Sequence, residues 1–293
     1  MQTLTPTNAP DLTLTRLGYG AMQLPGPGVW GPPADRPCAL AVVRRAADAG
    51  VTHFDTSAAY GPDVANALLR EALSPYPAGL TIATKVGVDR APDGTFLAAA
   101  SPEELTAQIQ QNLATLGVDR LPLVYLRVGG DGLLPPGPTP FAESYAALAE
   151  LRAQGLISYL GLSGCTVAQL EAAEAIAPVV AVQNRFFLFD RGSADVLGEC
   201  ERRGIAFVPY FPLAAGMELP HAAQRAALQV LADRHGASHA QVTIAWLLAH
   251  SPAILAIPGT RNPAHLEENL AAADLELDAS GLATLNDIST LTG

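Results

Sequence analysis

The sequence predicts a single parallel (β/α)8 barrel, or TIM barrel, over residues 1–293. Short apolar runs alternate with segments of helical spacing along the whole chain. Those runs are continuously apolar, as in strands covered on both faces, rather than alternating apolar and polar. Polar residues stand at their ends: Asp55, Lys85, Arg127, Ser163, Gln183 and Tyr210 each lie at or just after the last apolar residue of a different run. A barrel gathers the carboxyl ends of all its strands at one mouth, where folds of this kind carry their active sites. About eight strand–helix units fit one barrel better than an open sheet. A doubly wound fold would show a glycine fingerprint opening a helix, and Gly18-Tyr19-Gly20 lacks the rest of that pattern.

Taken in order, Leu12 to Leu17 alternates and suits a short hairpin lidding one end of the barrel. Leu17 to Met22 reads as a strand-like segment, and a Gly/Pro-rich loop from Pro25 to Pro33 carries Trp30. Arg36 to Ala49 has the Leu40, Val43, Ala47 spacing of a helix, stopped by Gly50. Val51 to Asp55 is then a buried strand, Val64 to Leu73 a helix and Leu80 to Lys85 a strand. Ser101-Pro102-Glu103-Glu104 is a helix start, with Ser as cap, Pro at the first position and Glu at the third, leading to Leu116. Strands follow at Leu121 to Arg127, Ile157 to Ser163, Val179 to Gln183, Ile205 to Tyr210 and Ala253 to Ile257. Helices between and after them span Phe141 to Gln154, Thr166 to Ile176, Ala194 to Arg203, Ala222 to His235, Ala240 to His250 and Pro263 to Ala271, with a short tail beyond.

Composition narrows the functional classes. With 49% hydrophobic residues the chain can bury a large core, and its net charge of -11 speaks against a nucleic-acid partner. Cys38, Cys165 and Cys200 are far apart and show no metal spacing, as reduced cytosolic thiols would. The start lacks the pattern of a signal peptide, and no apolar run approaches a membrane span. The expectation is a cytoplasmic protein, monomeric or weakly self-associating, that acts on a small molecule. No pair of histidines has metal-ligand spacing with a third ligand, so no metal is expected; His53 reads as a core histidine, and His221, His235, His239 and His250 as surface residues.

The chemistry centres on His53-Phe54-Asp55-Thr56-Ser57-Ala58-Ala59-Tyr60-Gly61, where an acid ending a strand precedes a phenol on the following loop. Of 17 basic residues, Lys85 is the only lysine, and it closes the next apolar run. Where coding bias turns ordinary lysines into arginines, a retained lysine points to a need for a compact ammonium of tunable pKa. A tyrosine beside an ammonium has its phenolate stabilised, which lowers its pKa and makes it a proton donor; the carboxylate holds the lysine. Separately, Asp55 could cap a helix and Tyr60 anchor a loop.

On Leu17-Gly18-Tyr19-Gly20, His53 to Ser57 with Tyr60-Gly61, Thr84-Lys85, Gly161-Leu162-Ser163, Val182-Gln183-Asn184, Tyr210-Phe211-Pro212-Leu213 and Ile257-Pro258-Gly259-Thr260 through Glu268-Asn269, the chain resembles the aldo-keto reductase family over essentially its whole length. The resemblance implies a (β/α)8 barrel and hydride transfer between a nicotinamide cofactor, NADPH in preference to NADH, and a carbonyl substrate. It implies Tyr60 as general acid, Lys85 as the group that tunes it, and Asp55 as the partner of Lys85. Ser163 and Gln183 would hold the carboxamide, Tyr210 would stack on the nicotinamide, and Gly20, Ala21, Met22, Pro212 and Leu213 would line the cofactor. Gly259, Thr260, Arg261, His265, Glu268 and Asn269 match the segment that binds the adenosine 2'-phosphate and adenine, where the N-terminus of the Pro263 helix also favours an anion.

Three departures from the family pattern stand out. Arg127 occupies the place of the family's usual histidine on the fourth strand, and arginine cannot donate a proton at neutral pH. It can orient an oxygen or hold an anionic group through its fork, or serve as an ion-pair partner within the mouth. Gly164 replaces the common Asn after Ser163, leaving the amide to Asn184 or water, and the usual lysine and arginine of the phosphate segment are Gly259 and His265. With Gly20 to Leu24 and Gly26 to Pro33, Arg127 also resembles a narrower branch, the bacterial pyridoxal reductases. That points to pyridoxal as substrate, with Tyr60, Arg127, Trp30 and Phe187 around it. The competing readings are a broad aldehyde reductase, a slow-turnover NADPH-binding regulatory protein, and a lyase forming a Schiff base on Lys85.

Overall fold

The computed structural model describes residues 1–213 and 221–288. A two-stranded antiparallel hairpin, β1 (Thr3–Leu4) and β2 (Leu14–Thr15), opens the chain. Strand β3 (Tyr19–Gly20) is followed by helix α1 (Arg36–Asp48), β4 (His53–Asp55), α2 (Val64–Leu73), β5 (Thr81–Arg90), β6 (Phe96–Ala99) and α3 (Pro102–Leu116). Then come β7 (Leu121–Arg127), α4 (Phe141–Ala153), β8 (Ile157–Ser163), α5 (Val167–Glu174), β9 (Val179–Gln183), α6 (Ala194–Arg203) and β10 (Ala206–Phe207). The described chain ends in α7 (Ala222–His235), α8 (His239–His250), α9 (Pro263–Ala271) and α10 (Ala279–Asp287).

Strands β3, β4, β5, β7, β8, β9 and β10 pair in parallel, in that spatial order. The eighth stave is residues 253–257, the expected last strand, which appears as isolated bridges rather than a continuous ladder. Phe207 N–H donates to Ala253 O and Leu255 N–H to Phe207 O, both at 2.8 Å. On the other side Ala256 N–H donates to Arg16 O and Gly18 N–H to Ala256 O, again at 2.8 Å. These bonds join β10 to the start of β3 and close the barrel.

Closure explains why the runs are continuously apolar, since one face of each strand points into the barrel and the other under the helices. Ala83, Leu123, Tyr125, Ala181, Val208 and Leu255 fill the interior, capped from below by Leu12 and Leu14 of the hairpin segment. Ile82, Val124, Leu160, Val182, Phe207 and Ile254 pack outward against the helices. The lid expected from Leu12 to Leu17 is present, with its partner strand at Thr3–Leu4. The Ser101 start is a capping box: Ser101 Oγ accepts from Glu104 N–H at 3.2 Å and Glu104 Oε2 from Ser101 N–H at 2.8 Å.

Two expectations change. β5 continues past Lys85 to Arg90 and folds back with β6, an antiparallel hairpin that overhangs the mouth. The segment expected as a tail forms α10, capped by Asp278, whose Oδ1 accepts from Gly281 N–H at 2.6 Å. Gly18 sits where the barrel closes, and a Cβ there would stand 2.7 Å from His53 O. We therefore expect Gly18→Ala to lower stability by about 1–3 kcal/mol, through backbone displacement at the closing seam. Chemical denaturation checks this, with an unchanged midpoint as the contrary result.

Candidate active site

Parallel register brings the functional side chains together. Asp55 ends β4 opposite Ala83 of β5, and Lys85 lies two residues further along β5. Lys85 Nζ donates to Asp55 Oδ1 at 2.5 Å and to Thr56 O at 3.0 Å. Across the barrel, Gln183 at the end of β9 donates from Nε2 to Asp55 Oδ2 at 2.7 Å. Lys85 is 7% exposed and Asp55 3%, so the pair is desolvated and survives because each charge has further hydrogen bonds. A second buried network fixes the backbone behind it: Thr56 Oγ1 donates to Asn66 Oδ1 at 2.9 Å, Asn66 Nδ2 to Asn112 Oδ1 at 3.0 Å and Thr84 Oγ1 to Asn112 Oδ1 at 2.7 Å.

Tyr60 lies with its ring centroid 5.0 Å from Lys85 Nζ. Burial alone would push the Lys85 ammonium down, but Asp55 and Tyr60 outweigh it and raise its pKa, so the lysine is charged at neutral pH. The phenol behaves otherwise than the sequence led us to expect. Burial pushes the Tyr60 pKa up and Asp55 adds to this; Lys85 and Arg127 pull the other way without prevailing. The resting phenol is therefore protonated, and Lys85 and Arg127 lessen the cost that burial puts on its phenolate.

Arg127 ends β7 with its side chain 11% exposed. Its Nη2 donates to Asp131 Oδ2 at 2.7 Å, and its Nη1 donates to Val128 O at 2.9 Å and Ser163 O at 3.3 Å. The guanidinium lines the cleft yet is committed to an ion pair on the β7–α4 loop. Tyr210 donates its hydroxyl to the same Asp131 Oδ2 at 2.7 Å. The side chain of Asn184 is spent on backbone: its Oδ1 accepts from Gly164 and Cys165 N–H at 2.9 and 3.0 Å, and its Nδ2 donates to Cys165 O at 2.7 Å. Phe211 follows Tyr210 with a φ of 55°, a left-handed conformation that is strained for a bulky residue.

One cleft at the barrel mouth gathers Asp55, Tyr60, Lys85, Arg127, Ser163 and Gln183. Gly20, Met22, Tyr210, Pro212, Leu213 and Gly259 form one of its walls. Ala21 is buried beneath that wall. Thr260, Arg261, His265, Glu268 and Asn269 lie outside the cleft, continuing from Gly259 into α9. Thr260 O accepts from Tyr19 Oη at 2.6 Å, Arg261 Nη1 donates to Pro25 O at 3.0 Å and Asn269 is buried, while His265 and Glu268 are exposed.

Trp30 and Phe187, the other two expected substrate contacts, are not among the residues lining this cleft. Trp30 is 39% exposed and packs its ring 5.1 Å from the Arg90 guanidinium, and Phe187 is buried in a turn closed by its backbone bonds with Asp190. The apolar lining of the cleft includes Val88 and Phe96 from the β5–β6 hairpin and Leu133 and Leu134 from the β7–α4 loop. The only sequence signal for these was apolar residues among the glycines and prolines that follow strand ends.

A carboxylate, lysine and phenol thus share the mouth of a (β/α)8 barrel with the polar side chains of Ser163 and Gln183 and the ring of Tyr210. The chain belongs to the aldo/keto reductase family, whose model matches residues 16–290. It is 46% identical over 278 residues to pyridoxine 4-dehydrogenase of Escherichia coli, covering 94% of this chain and 96% of that protein. A thermostable aldo-keto reductase solved with the inhibitor epalrestat superposes with a TM-score of 0.83 at 27% identity, covering 98% of this chain and all (100%) of that one. An aldo/keto reductase of Klebsiella pneumoniae solved with NADP and acetate shares the fold, with a TM-score of 0.81 at 24% identity over 98% of this chain and 95% of that one.

His53, beneath the site, has neither ring nitrogen hydrogen-bonded among the described residues, and burial lowers its pKa from 6.5 to about 4. The unfolded chain then binds more protons than the folded one between those values, so stability rises with pH across that window and is lost on acidification. We expect denaturation between pH 4 and 6.5 to show a loss of about 3 kcal/mol that His53→Leu removes. An identical pH slope in both proteins contradicts this.

Proposed function

We propose that this protein is an NADPH-dependent carbonyl reductase that converts an aldehyde to an alcohol, with pyridoxal reduced to pyridoxine and Tyr60 as general acid. The observation that carries the reading is the buried Asp55–Lys85 pair 5.0 Å from the Tyr60 ring, in a chain 46% identical to a pyridoxine 4-dehydrogenase. When bound, NADPH supplies a hydride to the carbonyl carbon. Tyr60 gives its proton to the carbonyl oxygen, and Lys85, held by Asp55, stabilises the resulting phenolate.

The residues present fit a nicotinamide cofactor. Gly20 and Gly259 pack backbone to backbone, since a Cβ on Gly259 would stand 2.4 Å from Gly20 O, and present a side-chain-free edge to the cleft. Ser163 and Gln183 offer polar atoms for the carboxamide, and Tyr210 offers a flat face for the ring. Arg261, His265 and the N-terminus of α9, capped by Asn262, favour a phosphate, which supports NADPH over NADH. Val88, Phe96, Leu133 and Leu134 offer apolar surface to an aromatic ring, while the Arg127 guanidinium, already paired with Asp131, lines the cleft beside them.

We place the protein in the cytoplasm as a monomer or weak homo-oligomer. Among the described residues no helix is long and apolar enough to cross a membrane. Cys165 and Cys200 are buried thiols pushed up by desolvation, Cys165 to about 12, and are inert at neutral pH.

Loss of NADPH absorbance across a panel of aldehydes tests the reading. Pyridoxal is expected to give the highest kcat/KM, and Tyr60→Phe to lower kcat by at least about a hundredfold while NADPH still binds. Benzaldehyde reduced as well as pyridoxal sinks the substrate assignment in favour of a broad aldehyde reductase. Retained turnover in Tyr60→Phe sinks the mechanism.

A further inference from the structure

The β7–α4 loop holds an arrangement that the reaction outlined above does not use. Asp131 accepts through Oδ2 from both Arg127 Nη2 and the Tyr210 hydroxyl, each at 2.7 Å. Through Oδ1 it accepts the backbone N–H groups of Leu133 at 3.1 Å and Leu134 at 3.2 Å. One half-buried carboxylate thus ties a strand end, an aromatic wall and the loop that carries two apolar cleft residues. Gly130 N–H donates to Leu134 O at 2.7 Å, which closes the turn around it.

We infer that Asp131 is a positioning residue whose carboxylate sets the Tyr210 ring and the Leu133–Leu134 segment as one unit, with Arg127 and Gly164 as the parts that make this clasp possible. The inference deepens the carbonyl-reductase reading, on which the role of Tyr210 beside the cofactor rests. Arg127 is the counter-ion: without it a partly buried carboxylate would face a phenol and two amides with no cation to balance its charge. Gly164 is the space. A Cβ there would stand 2.0 Å from Arg127 Nη1, 3.0 Å from Val128 O and 3.1 Å from Asp131 Oδ2, and its φ of 75° already favours glycine. A side chain at 164 would therefore have to push the Arg127 guanidinium out of the position in which it holds Asp131. The departures at Arg127 and Gly164 are then two halves of one change, and the clasp is what they create. Its consequence is coupling, because the face that meets a nicotinamide and the wall that meets an aldehyde move together or not at all.

Three variants separate the clasp from mere support. Tyr210→Phe keeps the ring and removes only the hydroxyl; Asp131→Asn keeps the shape and removes the charge; Gly164→Asn inserts a side chain against Arg127. Amide hydrogen exchange at Leu133 and Leu134 in the free protein reads the clasp without cofactor. Each variant is expected to speed it by about tenfold, including Tyr210→Phe, whose altered atom touches neither amide. NADPH titrated by quenching of protein fluorescence is expected to bind about tenfold more weakly to Tyr210→Phe and to Asp131→Asn, with the double variant no worse than the weaker single. The aldehyde KM is expected to rise in Asp131→Asn more than in Tyr210→Phe, because only the first frees the loop directly. Unchanged exchange at Leu133 and Leu134 in Tyr210→Phe overturns the inference, as do additive losses of NADPH affinity. A wild-type protein that fails to reduce aldehydes defeats the functional reading instead, and leaves the exchange result to decide the clasp.

Discussion

The site depends on a buried ion pair. Removing Asp55 and Lys85 from water costs several kcal/mol for each charge, and their mutual attraction offsets this only when the remaining donors and acceptors are matched. Here Lys85 also reaches Thr56 O, and Asp55 also receives the Gln183 amide from the far side of the barrel. Three strands and the loop after one of them must be in register for those bonds to form. Barrel closure by the short stave at 253–257 is therefore a functional requirement as much as a structural one.

The pair gives Tyr60 its character by opposing a second force. Desolvation holds the phenol protonated, and the ammonium 5.0 Å from its ring makes the deprotonated state less costly than burial alone would leave it. An acid must keep its proton at rest and release it when a carbonyl oxygen gains charge. In the role proposed for Tyr60, burial serves the first need and Lys85 the second. Arginine at position 85 would keep the charge but spread it over a planar fork, with less positive charge focused at the phenol. This gives a physical reason for the single lysine in a chain whose other basic residues are all arginine.

Much of this was legible in the chain because strands buried on both faces leave a distinctive trace. Asp55, Arg127, Ser163 and Gln183 each interrupt apolar character at a strand end, Lys85 does so where β5 runs on toward the mouth, and a barrel brings these positions together. The capping chemistry of Ser101 and Glu104 is local, and four consecutive residues suffice to specify it. What escaped depends on tertiary context. Past Lys85, Val88 and Phe96 carry no periodicity that announces a hairpin over the mouth. Asp131, among glycines, reads as an ordinary turn residue until Arg127 and Tyr210 are seen on the same oxygen. The direction of the Tyr60 shift required knowing how deeply the phenol is buried, which spacing does not supply. Trp30 and Phe187 are apolar residues near the site in sequence, and their packing against Arg90 and within a turn is not encoded by position alone.

The most direct test of the central claim is the titration of Tyr60 itself, followed by NMR with tyrosine labelled at the ring carbon bearing the hydroxyl and assigned by Tyr60→Phe. The wild-type phenol is predicted to titrate at a lower pH than the same phenol in Lys85→Met, because burial is common to both and the ammonium is present only in the first. Equal titration in the two proteins would contradict the account, since Lys85 would then contribute nothing to the acid it is held beside.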